Sequence, residues 1–122
     1  MRHLTPEEAG RLWFGDLIGS IFLFERIYFR EGLGRSKAPV SRKAARAFAR
    51  ELILAPTLES AREQMRQDPR GAAAFYAEAV RVRSDLTAIS LSEVHTASDG
   101  KHEPFLLAAA AVLNRLESLR DA

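Results

Sequence analysis

Between positions 30 and 50 the chain carries Arg30, Arg35, Lys37, Arg42, Lys43, Arg46 and Arg50, with Glu31 as the lone acid. Seven cations against one carboxylate make this stretch +6, in a protein whose total is +2. The rest of the chain is therefore net negative, and the cationic surplus sits in one place. Guanidinium groups pair bidentately with phosphate and carboxylate oxygens, so a run of them is the chemistry of polyanion contact. Of the 18 basic residues, 15 are Arg and 3 are Lys. Such a bias serves phosphate binding, and it also follows from GC-rich codons. Arg42, Arg46 and Arg50 are spaced four apart and share one helical face, with Lys43 beside them. Ala44, Ala45, Phe48 and Leu52 fall opposite and must point inward. Glu51 is the only nearby acid in sequence, which predicts an outward cationic stripe without local neutralisation.

Other candidate chemistry is weaker. Glu93, His95, Asp99, His102 and Glu103 lie in one polar stretch and include zinc-ligand types, but at a spacing that matches no finger. The paired Glu-x-x-His pattern of di-iron bundles is missing. The chain has no cysteine, which excludes disulfides, thiol catalysis and iron–sulfur clusters. Its serines lack the Gly-x-Ser-x-Gly turn. Gly32-Leu33-Gly34 lacks the remainder of a nucleotide-binding fingerprint. Asp16 stands in an apolar run, where a carboxylate must be paired or neutral, and an Arg partner is the expected explanation. No acid–base constellation can be assembled. The expectation is a non-catalytic protein without metal or cofactor.

The elements that would hold these residues are helical. Thr5-Pro6-Glu7-Glu8 reads as a cap, a first helical position and a capping box. The helix it opens should stop before Gly32-Leu33-Gly34. Six of the ten aromatics fall on it: Trp13, Phe14, Phe22, Phe24, Tyr28 and Phe29. Apolar residues appear all round this helix, which predicts a central position or a shared face. Gly15 and Gly19, four apart, suit a close helix crossing. A second helix spans the cationic stripe from Ser41 and ends at Ala55-Pro56. Thr57 caps a short third helix. Asp68-Pro69 caps the fourth, whose seam is Ala72, Phe75, Ala79, Val82, Leu86 and Ile89. After Asp99-Gly100, a turn signal, the last helix begins near Pro104, with Phe105, Ala109, Val112, Leu116 and Leu119 along its seam. Nothing reads as a strand pair. The expected fold is all-α: one domain, residues 1–122, a compact bundle of about five helices around a central apolar N-terminal helix.

The second and third helices have helix-turn-helix lengths, yet the would-be reading helix shows a mixed set, Glu59, Arg62, Glu63 and Arg66, and the turn lacks glycine. Sequence-independent backbone contact fits better. The N-terminus shows no secretory pattern, and the apolar run Leu12–Phe24 contains Asp16 and is shorter than the roughly 20 residues of a membrane span. A cytoplasmic protein with no membrane role is expected.

In size, helical class and basic stripe the chain resembles the small subunits of CRISPR effector complexes, a resemblance of type that no shared motif carries. It implies a nucleic-acid-associated subunit, on DNA or RNA, within an antiviral nucleoprotein. Arg42, Lys43, Arg46 and Arg50 would make the contact, with Arg30, Arg35 and Lys37 in support. The alternative is a protein-interaction module (adaptor, immunity protein or obligate dimer) that pairs through its apolar N-terminal helix and has no nucleic-acid role.

Overall fold

The computed structural model describes residues 17–33, 41–85 and 103–120. Among them are five helices and no strand: α1 (Leu17–Arg30), α2 (Arg42–Leu54), α3 (Leu58–Gln67), α4 (Pro69–Ser84) and α5 (Leu106–Arg120). The all-helical expectation holds. Thr5, Trp13, Phe14, Gly15 and Asp16 lie outside the described residues, as do Leu86, Ile89 and the polar stretch from Glu93 to His102.

Helix ends follow local chemistry. The Ser41 side chain accepts a hydrogen bond from the Ala44 N–H at 3.2 Å and opens α2. Thr57 and Ser60 form a reciprocal capping box on α3. The Asp68 carboxylate accepts from the Gly71 N–H at 2.9 Å, with Pro69 at the first position of α4. A Cβ on Gly71 would lie 2.1 Å from Asp68 Oδ2, so a larger residue there would make the capping side chain shift. Gly32 adopts φ +78°, the left-handed conformation that ends α1.

Four seams meet in one core. The predicted Phe75, Val82, Val112 and Leu116 are all buried. Phe24 of α1 is the hub of an aromatic cluster. Its ring lies 5.9 Å from Phe48, 4.8 Å from Phe75 and 5.9 Å from Phe105, each edge-on, and 6.3 Å from Tyr28. α2 packs most extensively, against α4 and α5.

One expectation changes in emphasis. Among the described residues, the stretch buried on every side is Phe105 to Val112, at the start of α5. It reads Phe-Leu-Leu-Ala-Ala-Ala-Ala-Val, an unbroken apolar run in which small alanines let neighbouring axes approach. By contrast, α1 buries a stripe, Leu17, Ser20, Ile21, Phe24, Ile27 and Tyr28. Its opposite face, with Phe22, Arg26, Phe29 and Arg30, is exposed. The Ser20 hydroxyl donates to the Pro104 carbonyl at 2.7 Å, and the Phe105 N–H donates to the Pro56 carbonyl at 3.2 Å. These two bonds seat the entry to α5 between α1 and the α2–α3 turn. No described helix is long and apolar enough to cross a membrane.

Candidate nucleic-acid interface

The cationic face of α2 is set by what the helix buries. Ala45, Phe48, Ala49 and Leu52 face the core, so Arg42, Lys43 and Arg50 are held outward. Arg42 and Lys43 occupy the first turn, which contains no acid. Two cations beside the positive end of a helix dipole repel it, and the arrangement becomes favourable when an anion meets them. Neither forms an ion pair among the described residues.

Farther along the stripe, neutralisation comes from a distant part of the chain and not from a local acid. Glu117 of α5 approaches both Arg46 Nε and an Arg50 terminal nitrogen, each at 3.3 Å. Local sequence offers only Glu51, but the fold delivers a carboxylate from 67 residues away. The Arg46 side chain is 19% exposed, whereas that of Arg50 is 59% exposed. The Arg46 Nε is close to Glu117 without hydrogen-bond alignment, so that contact is ionic only. The stripe therefore divides. Arg42, Lys43 and Arg50 stand in solvent, and Arg46 is tied down between α2 and α5.

Arg30 ends α1 and is exposed. Glu31, the acid of the basic segment, is taken by Arg66 of α3 through two bonds of 3.1 and 3.2 Å. Arg66 is one of the four residues of the would-be reading helix, and this pairing engages it within the fold. Arg35 and Lys37 lie outside the described residues. So do His95 and the rest of the polar stretch except Glu103, which is exposed; among the described residues no three metal-ligand side chains converge.

Two polar clusters escape the sequence reading. Glu78 of α4 is 0% exposed. Its carboxylate accepts from Arg81 at 2.8 Å and lies 3.4 Å from Arg115 Nε of α5, which also reaches toward Asp85 at 3.8 Å. A carboxylate closed to solvent and shared by two guanidiniums ties α4 to α5. Position 78 does fall on the apolar seam, three after Phe75 and four before Val82, and that was the available signal. In the second cluster the Tyr76 hydroxyl donates a short bond to Glu25, which Arg83 also approaches at 3.3 Å. Burial, followed by this bond and the Glu25 charge, pushes the Tyr76 hydroxyl up to about 12. Burial also raises Tyr28. Both stay protonated at neutral pH, so Tyr76 is a standing donor to Glu25.

No family model, no curated protein and no solved structure matches this chain.

Proposed function

We propose that the chain is a non-catalytic helical accessory subunit that contacts the backbone of a nucleic acid, DNA or RNA, through α2, as part of a larger nucleoprotein assembly of the CRISPR small-subunit type. The observation that supports this most is the placement of Arg42 and Lys43 in the acid-free first turn of α2, with Arg50 on the same outer side. Charges so placed disfavour the isolated helix end and favour a bound phosphate. Arg30 adds a cation at the end of α1, and Arg35 and Lys37 belong to the segment between the two helices.

Glu117 enters this reading as an internal competitor for phosphate. The Glu117→Gln variant is expected to bind single- and double-stranded nucleic acid more tightly than the parent, with a salt dependence steeper by up to about one unit in log affinity against log salt. The exposed Arg50–Glu117 pair contributes roughly 0–1 kcal/mol, and any larger loss of stability would come from the partly buried Arg46 contact. The check is salt-dependent binding of labelled oligonucleotides by the full chain. Unchanged or weaker binding by Glu117→Gln would mean that Arg46 and Arg50 serve only to hold α5.

Phe22 and Phe29, 40% and 53% exposed on α1, favour a second reading. Here the N-terminal helix pairs with a protein partner or a second copy through these exposed rings. Sedimentation at micromolar concentration separates this reading from the first: it requires association that the nucleic-acid reading does not.

A further inference from the structure

We propose that the outer face of α1 is a stacking platform for the bases of single-stranded nucleic acid, with Phe29 as the stacking ring and Arg26 and Arg30 as its flanking cations. This rests on the nucleic-acid reading and adds the class of strand.

Phe29 is the most exposed aromatic of the described residues, and it is not loosely held. Tyr28 and Tyr76 stack at 4.6 Å with only 8° between their planes. The Phe29 ring centre lies 5.7 Å from one and 5.6 Å from the other, at 74° to both. Equal distances place Phe29 beside the stacked pair, not on top of it, so two rings fix one side while more than half of the residue faces water. The pair is anchored in turn, since Tyr76 donates to Glu25 and Arg83 holds that same carboxylate. A preorganised ring loses little freedom when it stacks on another flat surface.

The surroundings select the kind of partner. Arg26 and Arg30 are four apart on the exposed side of α1, one three residues before Phe29 and the other immediately after it. Neither forms an ion pair among the described residues. Of the acids nearby, Glu25 is engaged by Tyr76 and Arg83, and Glu31 by Arg66. Arg83 also sits 4.5 Å over the Phe22 ring, extending the alternation of cation and ring along the helix. A polyanion that carries flat rings fits both halves of it. Single strands meet that description, because their bases are free to leave the stack. A duplex keeps its bases paired and offers Phe29 nothing.

The test compares a labelled oligo-dT, an abasic strand of equal length and a duplex of equal length, each titrated with the parent, Phe29→Ala and Phe29→Leu. Phe29→Ala is expected to weaken oligo-dT binding by roughly 5- to 100-fold while leaving duplex and abasic binding within about twofold. Phe29→Leu keeps the apolar bulk without the ring and should lose nearly as much. Thermal unfolding by circular dichroism confirms that both variants fold. If the parent binds all three ligands alike and Phe29→Ala changes nothing, the platform is overturned and backbone contact through α2 stands. If the parent binds none of them at low salt, both proposals are overturned. If Phe29→Ala instead dissociates a parent dimer in sedimentation, the face belongs to a second copy and the platform is overturned.

Discussion

Replacing Phe24 by alanine is expected to lower the free energy of unfolding by about 3–5 kcal/mol. The ring is fully buried and touches aromatic rings from α1, α2, α4 and the entry to α5. Its removal takes away buried apolar area and leaves a cavity whose walls belong to four different segments, which cannot all close in at once. Small domains have roughly 5–15 kcal/mol in total, so the variant should stand near the edge of stability. Urea unfolding followed by far-ultraviolet circular dichroism measures it, with an unchanged denaturant slope showing that the loss lies in the folded state. Phe29→Ala, on the exposed side of the same helix, is the control and should cost less than about 1 kcal/mol. A Phe24→Ala loss as small as that of Phe29→Ala would mean that the aromatic cluster is not the centre of the core.

The second large effect concerns Glu78. Arg115→Met should destabilise by about 3 kcal/mol, at the low end of what breaking a buried ion pair costs, because Arg81 still donates to the stranded carboxylate. Arg81 reaches solvent with about half of its side chain exposed, so Arg81→Met should cost less. Adding Glu78→Met to Arg115→Met removes the unpaired charge and should recover most of the loss, since an apolar pair of similar volume replaces a buried ionic one with little net change. Chemical denaturation of Arg115→Met, Glu78→Met and the double variant forms a cycle whose coupling reports the pair directly. Additive losses would show that Glu78 and Arg115 act independently.

Much of this fold is legible along the chain because the signals are short-ranged. Ser41, Thr57 and Asp68 each cap a helix through a backbone N–H three residues on, so neighbouring residues decide the outcome. The Phe75–Val82 and Val112–Leu116 seams are legible for the same reason, since a helical repeat is local. The illegible parts depend on which helices meet. Glu117 neutralises Arg46 and Arg50 only because α5 lies along α2, and no spacing within positions 30–50 encodes that. Glu78 is tolerated on a buried seam because Arg81 donates to it from one turn on and α5 brings Arg115 alongside. Phe22, Arg26, Phe29 and Arg30 read as part of a helix apolar all round, when the packing of α4 and α5 on one side leaves them on the other. The run Phe105–Val112, by contrast, carried its own signal of all-round burial, with eight apolar residues in succession.

The central claim, that α2 meets phosphates, is tested most directly by the salt dependence of single-strand binding. The parent is compared with the combined Arg42→Gln, Lys43→Gln and Arg50→Gln variant, which leaves Arg46 in place to hold α5. Glutamine has nearly the helix propensity of arginine and lysine, so the fold should persist and the change can be assigned to charge. Each lost phosphate contact removes about 0.7 from the slope of log affinity against log salt, so three should flatten it by about two units and weaken binding evenly across sequences. A variant that binds with the parent's affinity and slope would contradict the account and leave the stripe as a solvated helix face.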